Sequence, residues 1–156
     1  FPLIVDVDEW DTNHYGTSVD WLYNRTFFSV VVESIYDDLS VFLDEKIWKP
    51  IYNYHPFIMV GCPNSLKKLR EMGFRTFNNY FEEAYDLDRD PNMRIDTIVD
   101  VCDRLRDAPW QDIYLQSKAL RQYNHDCFFN KDLLSNEINK TLNLFLEFAD
   151  SSQVSS

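Results

Sequence analysis

The 156 residues carry 45% apolar and 16% aromatic side chains with three glycines, a composition that packs a core and excludes a disordered chain. At this length one domain is expected, over residues 1–150 with a polar tail over 151–156, burying roughly 70% of its unfolded surface. A formal net charge of −11 repels polyphosphate at long range and excludes nonspecific nucleic-acid binding. One or two placed cations still outweigh that diffuse field at contact distance.

In chain order, residues 2–7 (PLIVDV) form a short apolar run that predicts a strand, followed by a polar stretch. Residues 27–32 (FFSVVV) are rich in β-branched and aromatic residues and apolar on nearly every side, the pattern of a strand covered on both faces in a parallel sheet. Asp44 suits an N-cap for a helix over 45–54, which Pro50 shortens or bends. Residues 56–60 (PFIMV) predict a second apolar strand closed by Gly61. Asn64 or Ser65 caps a helix over 65–72, with Leu66, Leu69 and Met72 inward and Gly73 at its C′ position.

Residues 74–77 are a further short strand candidate. Pro91 opens an amphipathic helix over 91–107, with Met93, Ile95, Ile98, Val99, Cys102 and Leu105 on the expected buried side. Helical periodicity continues over 110–123 and 131–148. Alternating strands and helices imply an α/β fold with a parallel sheet, right-handed crossovers and C-terminal helices. The expected architecture is a single Rossmann-like half.

Candidate chemistry gathers at the ends of these elements. Glu45 and Lys46 open the helix that follows the first long strand, and Glu33 ends that strand. A carboxylate accepts two hydroxyl hydrogen bonds, while an ammonium makes short charge-assisted contacts to phosphate. Free amides at a helix start add donors of the same kind. A lysine there opposes the helix dipole, at a cost of a few tenths to ~1 kcal/mol, and so calls for an anion. This combination fits a ligand bearing both hydroxyls and phosphates.

The spacing Val32-Glu33-Ser34, then Asp44-Glu45-Lys46, then His55-Pro56-Phe57-Ile58-Met59-Val60-Gly61 resembles the donor-binding, C-terminal half of GT-B glycosyltransferases. It is closest to the fucosyltransferase-like group, and SLKKLREMGFRTF continues as in phage- and virus-borne proteins that share this block. The resemblance covers residues 20–105. It implies a transferase using a nucleoside-diphosphate sugar, with Glu45 on the ribose diol, Lys46 on the pyrophosphate and Glu33 facing the donor. Phe42 stands where the family has an aromatic near the nucleotide, and Arg25 precedes the strand within reach of phosphate. Two departures stand out: Ser34 replaces an Asn, and Asp44 replaces a Thr, which sets a negative charge beside the expected diphosphate.

A GT-B enzyme has two Rossmann-like halves, so a second domain or chain supplying the acceptor half is expected. The chain begins at Phe1 and is read as a processed product or part of something longer. No metal and no cofactor beyond the donor sugar nucleotide is expected, nor a membrane span. The location expected is cytoplasmic, the host cytoplasm for a viral protein. The alternative is a non-catalytic interaction module built on the same half-fold, working through Trp10, Trp21, Trp48, Tyr52, Tyr54, Trp110 and Tyr114.

Other motifs carry less. Asp6-Val7-Asp8 imitates a metal-binding DxD, but Trp10 departs from the phosphatase pattern. Asp86, Asp88 and Asp90 alternate like an EF-hand opening, yet Pro91 takes the glycine position and no glutamate closes the loop, so a solvated loop is expected. Cys62, Cys102 and Cys127 form no CxxC and are read as idle thiols in a reducing compartment.

Overall fold

The computed structural model describes residues 20–38 and 40–130. The expected strand over 2–7, the expected helix over 131–148, the DxD and the polar tail lie outside the described residues.

The chain enters through the short helix α1 (Asp20–Tyr23) and passes into strand β1 (Ser29–Val32). Helix α2 (Glu45–Tyr52) then crosses to strand β2 (Phe57–Val60), which pairs with β1 in parallel, Ser29 opposite Phe57 and Val32 opposite Val60. After β2 come α3 (Ser65–Glu71), a 3-10 turn (Ala84–Leu87), and the helices α4 (Pro91–Arg106), α5 (Trp110–Gln116) and α6 (Lys118–Phe128). The fold is mixed α/β, with a two-stranded parallel sheet among the described residues.

The core sits on β2, all four of whose residues are buried, and gathers Ile47 and Ile51 from α2, Leu66 and Leu69 from α3, and Ile98, Val101 and Leu105 from α4. Among the described residues, β1 is covered on one face only. Val31 is buried, but Val30 and Val32 remain 47% and 55% exposed, against the two-sided burial its apolar run predicts. The helical layers converge on β2, leaving β1 towards the margin of the described sheet. At the opposite end of the strands, His55 is buried and ties together the segments leading into β1 and β2: Nδ1 lies 2.8 Å from Ser29 Oγ, and Nε2 lies 2.9 Å from the Thr26 carbonyl oxygen.

Several boundaries differ from the sequence pattern. Residues 74–77 do not join the sheet, because side chains satisfy their backbone: Asn124 bonds both the N–H and the C=O of Arg75, and Glu83 accepts from the Phe77 N–H. The helix expected over 110–123 divides at Ser117, which is fully buried and ends α5 while starting α6. On α4 the inward stripe is Arg94, Ile98, Val101 and Leu105, and Met93 and Val99 face outward. Those four residues recur at helical spacing, and Arg94 joins them because its guanidinium donates to the carbonyls of Asp88 and Tyr36.

Candidate functional site

β1 and β2 both run towards one edge, and there the sequence places Glu33-Ser34 after β1 and the start of α2. Asp44 is the N-cap of α2 as expected: its backbone is extended and its Oδ1 accepts from Lys46 N at 2.8 Å. Its other oxygen, Oδ2, accepts from Ser34 N at 3.1 Å and from Ser34 Oγ at 2.7 Å, and is ion-paired with Lys46 Nζ. Lys46 Nζ also donates to Ser34 Oγ at 2.8 Å and lies 3.6 Å from Glu45 Oε1. The Lys46 and Glu45 side chains are 38% and 45% exposed, so the pair projects together into solvent from the first turn of α2.

Glu33 lies behind this cluster, 4% exposed. Its Oε2 accepts from Asp44 N at 2.9 Å, while Oε1 is buried without a hydrogen-bond partner among the described residues. Burial, reinforced by the Asp44 carboxylate, pushes the Glu33 carboxyl up to about 8. For Asp44, burial works upward, but hydrogen bonding with Glu33, Lys46 and Ser34 outweighs it and holds that carboxyl well below its ordinary value. Of the two neighbouring acids, the inner one therefore keeps its proton at neutral pH and the outer one carries the charge. An orphaned oxygen on a neutral carboxyl costs less than one on a carboxylate. The hydrogen bond from Lys46 to Asp44 raises the lysine in turn.

A cavity of about 420 Å³ runs along β1, walled by Ser29, Val30, Val31 and Val32, by Leu22, Tyr23 and Thr26, and by Lys46, Lys49 and Pro50 of α2. Lys46 thus stands between the acidic cluster and an apolar trough. Phe42, 49% exposed, lies in the segment between β1 and α2. Arg25 does not join the cluster. It precedes β1 at the far end of the strand, and its guanidinium lies over the Trp21 ring, 5.3 Å from the centroid.

The second helix start on this edge is closed. α3 follows β2 directly, and its N-cap Asn64 is left-handed at φ 69° and makes no side-chain cap bond. The buried Asp86 caps it instead, accepting from Leu66 N at 2.8 Å and Lys67 N at 3.0 Å. Asp86 is therefore structural and not part of a solvated loop, while Asp90 caps α4 through Asn92 N and Met93 N. The chain's own carboxylate takes the position an anionic ligand would occupy at α3, and Asp44 serves α2 in the same way, with the difference that the Lys46 and Glu45 side chains of its first turn reach solvent.

Among the described residues no three His, Cys, Asp or Glu side chains are grouped to hold a metal, and no helix is long and apolar enough to cross a membrane. Comparison with protein-family models, with curated proteins and with solved structures gives no match.

Sequence reasoning singled out Glu33, Glu45, Lys46 and the charge of Asp44, but not the service of Ser34 or Asp86. Ser34 reaches Asp44 and Lys46 from ten and twelve residues away, beyond any local pattern. Asp86 reaches α3 from about twenty residues away, which no local pattern encodes.

Proposed function

We propose that this chain is the nucleotide-sugar-binding, Rossmann-like half of a GT-B glycosyltransferase. The observation that carries the reading is the joint projection of Glu45 and Lys46, 3.6 Å apart, from the first turn of α2 at the exit edge of a parallel β-α-β unit. In open α/β sheets ligands bind outside the carboxyl ends of the strands. The resemblance of the Glu33, Glu45-Lys46 and Pro56–Gly61 segments to fucosyltransferase-like and phage-type enzymes supports the same edge.

In this reading Glu45 accepts hydrogen bonds from the ribose diol and Lys46 meets the diphosphate. As the bond from sugar to diphosphate breaks, negative charge grows on the departing phosphate, and the ammonium with the α2 dipole stabilises it. Glu33 holds Asp44, and so the first turn of α2, in register. Phe42, exposed in the segment before α2, is the aromatic this reading assigns to the base, whereas Arg25 takes no part. The acceptor and the group that activates it come from a second domain or chain. An interaction module would need its aromatic side chains on one open face. Trp110 stacks on Phe28, Tyr54 on His125, and Trp48 packs against Phe74 and Phe128, while Trp21 and Tyr52 remain 40% and 43% exposed.

Thermal unfolding with millimolar GDP, UDP and CDP tests the reading. At least one of them raises the Tm of the wild-type chain, and Lys46→Ala removes the rise. No shift with any of the three overturns it.

A further inference from the structure

Lys46 is not waiting with a bare charge. Its ammonium is ion-paired with Asp44 Oδ2 and donates to Ser34 Oγ, and Ser34 Oγ itself donates to the same carboxylate oxygen at 2.7 Å. Three groups thus meet on one oxygen at the rim of the cavity, and the lysine meant for an anion already holds one. Asp44 is also fixed from behind, through its backbone N–H to Glu33 and its Oδ1 on Lys46 N, so the carboxylate cannot withdraw without uncapping α2. The mobile member is the lysine, whose side chain is 38% exposed.

We infer that Asp44 is a specificity-determining residue, the internal counter-ion from which an incoming phosphate must win Lys46. The inference rests on the donor-binding reading above and adds a ligand preference to it. A singly phosphorylated ligand offers the lysine little more than Asp44 already does. A diphosphate offers several oxygens and more than one charge, so it exchanges with the carboxylate on better terms. Asp44 nonetheless makes the site hold phosphates less tightly than an uncharged cap at the same position would, and the loss is largest for the diphosphate, whose extra charge the carboxylate repels. Weak retention of the diphosphate suits a site that must release it after each transfer.

Asp44→Thr separates charge from capping, because the Thr hydroxyl still accepts from Lys46 N. Asp44→Asn is the second variant, closer in shape and likewise uncharged. Inorganic pyrophosphate, inorganic phosphate, UDP and UMP are titrated calorimetrically into the wild type and both variants, with circular dichroism confirming the fold. Removing one unit charge at contact distance in a partly exposed site is expected to tighten pyrophosphate and UDP about tenfold. The ratio of UDP to UMP affinity then rises, because the more highly charged diphosphate gains most from losing the Asp44 carboxylate, and adding Lys46→Ala erases the gain. If the wild type binds UDP and both folded variants bind it equally or more weakly, the counter-ion role is overturned while the donor site stands. If neither the wild type nor the variants bind any of the four probes, both readings fall.

Discussion

The backbone N–H of Asp44 donates to Oε2 of Glu33 across 2.9 Å, which ties the first turn of α2 to the end of β1. That bond places a buried acid beside a charged one, and the stability of the chain inherits a pH dependence from it. With its carboxyl raised to about 8 in the fold and near 4.5 in the unfolded chain, Glu33 binds its proton more tightly when folded. Between those values the folded state keeps a proton that the unfolded state has lost. Stability therefore falls as pH rises from about 4.5 to 8. Burial raises Glu83 and Asp86 as well and adds slope of the same sign. The depressed Asp44 acts in the opposite sense and in a lower window: its contribution is present above its unfolded value of 3.8 and is lost on further acidification. Burial lowers His55 from 6.5 and adds slope of the opposite sign below that value, so thermal melts should show Tm declining from pH 6.5 to 8.5. Glu33→Gln, neutral throughout, should flatten that decline without abolishing it. An unchanged slope in the variant would show that Glu33 ionises normally.

Buried Asp86, capping α3 from the 3-10 turn about twenty residues on, predicts an unusually costly mutation. Asp86→Ala orphans the amides of Leu66 and Lys67 and strips Arg70, whose guanidinium lies 3.6 Å from Asp86 Oδ2, of one of its two acidic partners. Losing a cap costs ~1 kcal/mol, and burying donors without partners costs ~1–3 kcal/mol more. Urea unfolding should place Asp86→Ala about 2–4 kcal/mol below wild type. Asp86→Asn should recover part of the loss, since one amide oxygen still accepts.

The fold is legible in the sequence where local signals suffice. Phe57 to Val60 reads as a buried strand because all its side chains are apolar, and Asp44 reads as a cap because its acceptor lies two residues from the amide it serves. Gly73 ends α3 as expected: at φ 95° it adopts the left-handed region, its N–H bonds the Arg70 carbonyl, and Phe74 N bonds that of Leu69. What could not be read is long-range polar satisfaction. Arg94 sits on the core stripe of α4 because two distant carbonyls receive it, and periodicity counts it as a surface residue. The pairing of Lys46 with Ser34 joins positions twelve apart across a loop. The same limit explains the absence of a strand at Phe74.

Asn124 is the plainest case of a side chain standing in for a strand. It is 2% exposed, its Oδ1 accepts from Arg75 N at 2.8 Å, and its Nδ2 donates to Arg75 O at 2.8 Å. Asn124→Leu fills the space but leaves both backbone groups of Arg75 without their partner, at a cost of ~2–4 kcal/mol. Amide exchange reads this directly. Arg75 N–H should be protected in the wild type and exchange at least tenfold faster in the variant, while amides in β2 keep their rates relative to global unfolding.

Gly61 closes β2 where the chain passes Glu33 and the start of α3, and there is no room for a larger residue. A Cβ at Gly61 would stand 2.9 Å from Ser65 Oγ and 3.3 Å from Glu33 Cγ. Ser65 Oγ is held in place by its 2.7 Å bond to the Cys62 carbonyl, so it does not yield freely. Gly61→Ala should cost about 1–3 kcal/mol through overpacking. Ser65→Ala removes the obstructing oxygen and should cost about 1 kcal/mol for the lost hydrogen bond. Because the alanine methyl and the serine oxygen compete for one space, the two changes should not add. The double variant should be more stable than the sum of the singles predicts by at least ~0.5 kcal/mol, on the order of the coupling between touching residues. Strict additivity in chemical denaturation would mean that Gly61 is required by its contact with Glu33 and not by Ser65. The electrostatic cluster at the start of α2 would then carry the strain, and the pH slope of Gly61→Ala would depart from that of the wild type.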